Sequence, residues 1–196
     1  MSGSLISGNL NILLRNISIL NENMKTKQLS GATILLSFVI LLASGGCKNE
    51  KQAEGTDKLL YDMAKETTGF TWYKKSDALL NTTSGSGHSF PFLRTRYNQI
   101  AAAKLNDNGQ IIAGSTFPEG SVIVKEFHDD SRKLARYAIL YKASDNSDAD
   151  SKGWVWGYIN ADGTVAQESG KKGSGCNECH NQSGNIDYML MNKYFP

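Results

Sequence analysis

One five-residue run, Cys176-Asn177-Glu178-Cys179-His180, constrains this chain more than any other feature. Two thiols three positions apart can add across the two vinyl groups of one porphyrin, and a histidine directly after them falls under the iron as its proximal ligand. The run therefore has the form of a c-type haem attachment site, with Cys176 and Cys179 as covalent anchors of one haem c and His180 as the metal ligand. Two other chemistries use similar residues. A redox-active cysteine pair sits where a strand enters a helix in a βαβ unit, whose helix N-terminus lowers the thiol pKa. Here the pair follows the run Gly170-Lys171-Lys172-Gly173-Ser174-Gly175, with no βαβ pattern around it. Structural zinc wants four protein ligands, usually in two spaced pairs. Only His88 and His128 remain to complete such a set, and neither forms a pair at a spacing zinc favours.

The chain has three cysteines, and the third, Cys47, belongs to a different pattern. Lys25 and Lys27 precede the apolar stretch Ile34 to Ala43, which is followed by Ser44-Gly45-Gly46. A basic start, a short apolar core and small residues form a secretory signal. The core is shorter than the roughly 20 residues a membrane-spanning helix needs. Residues 1–46 are accordingly expected to be a signal peptide, with Met24 as the expected true start. Small residues running into a cysteine resemble a bacterial lipoprotein signal, implying cleavage before Cys47 and lipidation of its thiol. Ser44 departs from that pattern, since leucine is more usual there; an ordinary signal with Cys47 as a spare thiol is the alternative. The lipoprotein layout predicts a membrane-anchored protein facing the periplasm or the cell surface, with residues 47–56 as a polar tether. Export agrees with the haem motif, because bacterial c-type cytochromes are matured outside the cytoplasmic membrane.

Removing residues 1–46 takes away three basic residues and one acidic, so the net charge falls from +2 to zero. With no Lys/Arg cluster, nothing argues for nucleic acid as a partner. Residues 57–196 have the usual size of one domain. Leu59, Leu60, Met63 and Ala64 recur at helical spacing, which predicts a helix over Asp57–Lys65 with Thr56 as its cap. Strands are expected over Phe90–Tyr97, Gln110–Ala113, Ser121–Phe127, Leu134–Lys142 and Trp154–Asn160, separated by Asn/Asp/Gly/Pro turn signals. Asn98–Leu105 reads as a short helix between two of them. The acidic stretch Ser144–Lys152 invites comparison with a calcium loop. Counted from Asp148, Gly153 fits the invariant glycine, but Lys152 occupies a ligand position and Ile159 replaces the bidentate glutamate. A solvated hairpin tip is expected instead.

This layout is wrong for an ordinary small cytochrome c, which is helical and carries its haem motif early. The run Arg94-Thr95-Arg96-Tyr97-Asn98, then Phe117-Pro118-Glu119-Gly120-Ser121-Val122-Ile123-Val124-Lys125-Glu126, then Gly153-Trp154-Val155-Trp156-Gly157-Tyr158 and the late Cys-x-x-Cys-His resemble, in that order, the cytochrome P-460 and cytochrome c′-beta family. The resemblance covers roughly residues 65–196. It implies an α+β, mainly antiparallel β-sheet domain with a few flanking helices, often a homodimer. It also implies one haem c with histidine below a five-coordinate iron and an open position above it. In one branch a lysine bonded to the porphyrin edge accompanies hydroxylamine oxidation, with electrons passed to a redox partner cytochrome. In the other that bond is absent and nitric oxide is the ligand. A six-coordinate electron-transfer cytochrome is the alternative to both.

Lys125 is the candidate for the porphyrin bond, since strand alternation puts it on one face with Ile123 and Phe127, an unusual place for an amine. The alternative is an edge-strand lysine paired to a carboxylate. Glu126 is the candidate proton acceptor, because hydroxylamine chemistry needs a carboxylate near the bound nitrogen. Met189 and Met191 follow His180 too closely to reach round a haem with any slack, and are expected in the core. His88 lies in a Ser/Gly loop, where it either caps the iron or sits at the surface; the surface, or a structural hydrogen bond, is the expectation. Phe90, Phe92, Phe117 and Phe127 are possible distal aromatics or core fillers.

Overall fold

The computed structural model describes residues 51–196, so the segment expected as a signal peptide and Cys47 lie outside the described residues. The first element is helix α1, Gly55–Lys65. Its Leu60 and Ala64, one turn apart on the same stripe, are fully buried. Asp57 in its first turn and Lys65 in its last complement the helix dipole. The helix starts earlier than expected. Thr56 lies within it and caps nothing, because Glu54 holds the cap position. Part of the polar run expected as a tether is paired with the domain. Gln52 pairs with Thr164, and the Val165 N–H donates to the Lys51 carbonyl at 2.8 Å, so the polar run is backbone-paired from Lys51 onward.

Along the chain follow β1 (Thr71–Trp72), β2 (Leu80–Asn81), β3 (Phe92–Tyr97), α2 (Gln99–Ala102), β4 (Val122–His128), β5 (Leu134–Lys142), β6 (Trp154–Asn160), β7 (Val165–Gln167), α3 (Asn177–His180) and α4 (Met191–Tyr194). The strands form one seven-stranded sheet in the order β1-β3-β4-β5-β6-β7, with β2 sharing the outer edge of β3. Every named pairing is antiparallel. This is the mainly antiparallel α+β domain that the sequence predicts.

Period-two alternation divides the long strands between two cores. Val122 and Val124 of β4, Tyr137 and Ile139 of β5, and Val155 and Ile159 of β6 pack with Leu60 and Ala64 of α1. Ile123, Phe127, Leu140, Trp154 and Trp156 project from the other face and pack under Tyr188, Met189 and Met191 of the C-terminal segment. The central strands are therefore covered on both sides, by α1 on one and by the haem-motif region on the other. Gly157 lets α1 approach. A Cβ there would lie 2.8 Å from Leu60 Cδ1 and 3.4 Å from Ile139 Cδ1. Gly157→Ala is expected to lower stability by about 1–3 kcal/mol through overpacking, measured by chemical denaturation of the folded protein. A change within error would show that Leu60 simply rotates away.

Three expected elements are corrected. Gln110–Ala113 is no strand: only Ile111 forms a bridge, to Leu105. The Asn192 side chain instead takes both backbone groups of Ile111, accepting from its N–H at 3.1 Å and donating to its carbonyl at 2.7 Å. The strand expected from Phe90 begins at Phe92, because Pro91 has no N–H for the ladder. The helix expected over Asn98–Leu105 is one turn, capped by the Asn98 side chain, which accepts from the Ala101 N–H at 2.9 Å. β5 and β6 have the expected bounds, and β1, β2 and β7 are short additions.

Candidate functional site

Helix α3 is a single turn, closed by the His180 N–H donating to the Cys176 carbonyl at 3.0 Å. Positions i, i+3 and i+4 share a helix face, and Cys176, Cys179 and His180 accordingly line one pocket together. The turn is brought against the sheet at Gly173, which has φ +72°. A Cβ there would fall 2.7 Å from the Trp156 indole nitrogen, so only glycine allows this approach. Both thiols are free.

His180 is held from two sides. The Trp156 ring meets it edge-on, with centroids 5.2 Å apart. Its Nδ1 lies 2.8 Å from the Tyr188 carbonyl, which fixes Nδ1 as the protonated nitrogen and leaves Nε2 as the lone-pair bearer. That carbonyl is aimed by an unusual backbone, since Asp187 and Tyr188 both have positive φ, 48° and 72°. Such conformations persist only where surrounding contacts over-determine them. Asp187 supplies those contacts. Its carboxylate accepts from the Phe117 N–H at 3.0 Å and from the Trp154 indole at 3.1 Å, with Lys142 3.6 Å away. Asn185 Oδ1 accepts from the Tyr188 N–H at 3.0 Å. Burial, reinforced by the Lys125 charge, pushes His180 down to about 4, against the smaller upward pull of the Tyr188 carbonyl. The imidazole is neutral at physiological pH, as a metal ligand must be.

The acidic loop Ser144–Lys152 is a hairpin connection, as expected, but it is not merely solvated. Asp150 accepts from the Trp156 indole N–H at 2.9 Å and from the Trp154 backbone N–H at 3.0 Å. The loop thereby orients the indole that packs on His180. Nothing in its polar composition marks that role.

Lys125 enters the same pocket from β4, with Ile123 and Thr95 beside it. β4 lies between β3 and β5, so the edge-strand alternative is excluded. Among the described residues Lys125 has no carboxylate partner. Burial alone lowers its amine to about 8. Glu126 is corrected as a candidate catalytic residue. Alternation sends it to the opposite face, where Arg94 Nε donates to it at 2.5 Å, Arg96 NH1 donates to its other oxygen, and His128 Nε2 lies 3.4 Å away. It neutralises the half-buried Arg94 and the fully buried Arg96, and it is not among the residues that line the pocket.

The remaining candidates sort cleanly. Met189 and Met191 are buried in the core as expected, with the Thr95 hydroxyl donating to the Met191 sulfur at 3.3 Å. Phe117 stacks on Tyr97 within the core, and Phe92 sits under Arg132 on the far face. Phe127 and Phe90 stack on one another beside His88, with the Phe127 ring 4.5 Å from the His88 ring. His88 is thus not a surface residue. It lines the pocket, where burial first and then Lys125 and His180 push it down to about 3.

The pocket has a cavity volume of about 210 Å³ and is partly open to solvent. Two free thiols on one helical face, a neutral imidazole with one fixed nitrogen, and apolar walls fit a haem c. Cys176, Cys179 and His180 are the residues that would hold it. Fold and site together define a class, a β-sheet cytochrome whose haem segment closes the domain. The family model for cytochrome P460 matches residues 72–191, and the chain belongs to that family. Family membership makes it a haem c cytochrome. No curated protein matches the chain.

Proposed function

We propose that this protein is an exported mono-haem c cytochrome that takes up a small nitrogen ligand, nitric oxide above all, at its iron. The haem is bonded through Cys176 and Cys179 and ligated by His180. Cys47 carries a lipid anchor that keeps the domain at the periplasmic or cell-surface side of a membrane. Bound haem supplies the ligand-binding and one-electron chemistry. The chain's own residues orient His180 through the Tyr188 carbonyl, line the site with largely apolar walls, and place in it Lys125, the one amine among its described lining residues.

The carrying observation is which titratable groups share that pocket. Lys125 and His88 line it with His180, while among the described residues no carboxylate does. Hydroxylamine oxidation needs a proton acceptor at the bound nitrogen, and the carboxylate expected for that task, Glu126, is on the far face of the sheet. This favours uptake over oxidation. Oxidation coupled to a partner cytochrome keeps one point of support. An amine held near 8 is neutral in an appreciable fraction of molecules, and the neutral form is the nucleophile a porphyrin bond requires.

The alkaline pyridine spectrum of the reduced, haem-matured protein separates the two. A normal c-type spectrum, unchanged by Lys125→Ala, is the expected outcome. A red-shifted spectrum that Lys125→Ala restores to normal would establish the bond and make hydroxylamine oxidation the activity to assay. Absence of any haem band would sink both.

A further inference from the structure

His88 lies across the pocket from the haem motif in an arrangement that no core-packing role requires. Its ring centre is 6.3 Å from that of His180, with the planes at 73°. Two imidazoles on opposite sides of one metal ion, each bonded at about 2.0–2.1 Å, place their ring centres about 6 Å apart. Among the described residues no hydrogen bond engages either nitrogen of His88, whereas His180 has one nitrogen committed to Tyr188.

The loop that carries His88 is built for movement about fixed ends. Thr82 closes its base, donating from its N–H to the Pro91 carbonyl at 2.9 Å and from its hydroxyl to the Phe90 carbonyl at 2.5 Å. Between those ends Gly85 and Gly87 have φ +86° and +71°, with open space around Gly87 where a Cβ would stand. Phe127 supports the imidazole from one side at 4.5 Å. The two methionines of the pocket are otherwise engaged: Met191 accepts from the Thr95 hydroxyl, and Met189 sits in the Ile186–Met189 turn.

We propose that His88 is a displaceable sixth ligand: it closes the iron position opposite His180 at rest and swings out on its glycine-flanked loop when a small ligand enters. The proposal rests on the haem assignment above and replaces the expected open position with a closed one. It also distinguishes this protein from a plain electron carrier, because a loop-borne ligand that lets go leaves a binding site behind.

The test uses the full chain matured with haem c machinery, with carbon monoxide as the probe. A missing pyridine haem band would refute the haem assignment itself, before His88 is in question. With haem present, the ferric protein is expected to be low-spin by electron paramagnetic resonance, and His88→Ala to convert it to high-spin. Carbon monoxide association with the ferrous protein should rise roughly tenfold or more in that variant, since a ligand-free fraction of a tenth or less slows capture in proportion. Free imidazole should restore the low-spin signal to His88→Gly. In the unaltered protein the association rate should level off at high carbon monoxide, limited by departure of His88, a readout that needs no variant to fold. A high-spin resting protein, a low-spin signal that survives His88→Ala, or a rate linear in carbon monoxide would each overturn the proposal.

Discussion

Changing Cys176 and Cys179 together to serine is expected to remove haem from the polypeptide entirely on denaturing electrophoresis, measured by in-gel haem peroxidase staining. The argument is covalent: a hydroxyl does not add to the porphyrin vinyl groups as a thiol does, so whatever haem remains is held by His180 and by packing alone. The sheet should survive, because the two cysteines lie outside the fully buried core and Cys179 is exposed. Far-ultraviolet circular dichroism close to that of the unaltered protein would separate loss of attachment from loss of fold. Haem that still migrates with the double variant would overturn the assignment of these thiols. Single substitutions should leave one bond and a partly stained, less stable holoprotein.

The second large effect lies on the other face of the sheet. Glu126 is nearly inaccessible and bridges Arg94 and Arg96, while Arg96, itself fully buried, also donates to the Ala64 carbonyl of α1. Trp72 lies under both guanidinium groups, with centroids 4.5 Å from Arg94 and 5.4 Å from Arg96. Glu126→Ala strands a buried guanidinium without its counter-charge, a change that costs about 3–5 kcal/mol. Melting should drop by about 10 °C or more for a domain of this size, measured by thermal unfolding with the haem absorbance unchanged at low temperature. A small loss of stability with an altered haem spectrum would return Glu126 to the site, against its position on the far face.

These residues also mark how far sequence alone reaches. Alternation along β4 was enough to place Lys125 with Ile123 and Phe127, and the pocket lies on that face. The same alternation argued against Glu126 from the start, since adjacent strand residues cannot both face one ligand. β5 and β6 were legible because their aromatic and β-branched runs end at strong turn signals. β1, β2 and β7 are too short to establish any period. The position of His88 was not legible, because a Ser/Gly loop has no periodicity and its return path is set by the distant closure at Thr82. Nor was the Asp187–Tyr188 turn, whose positive φ is imposed by tertiary contacts on residues that do not ordinarily adopt it.

The order of the sheet bears on how the molecule assembles. From β3 through β7 each strand pairs with the next in sequence, so the body of the fold is built from sequence-neighbouring pairings, with little long-range search. Among the widest sequence separations are those that bring the Tyr73 hydroxyl to the Phe195 carbonyl and Lys51 to Glu168. Cys176 and Cys179 lie beyond β7, in a part of the chain that contributes no strand to this sheet. Every strand precedes both thiols in the chain, so pairing of the sheet calls on no residue of the Cys-x-x-Cys-His run.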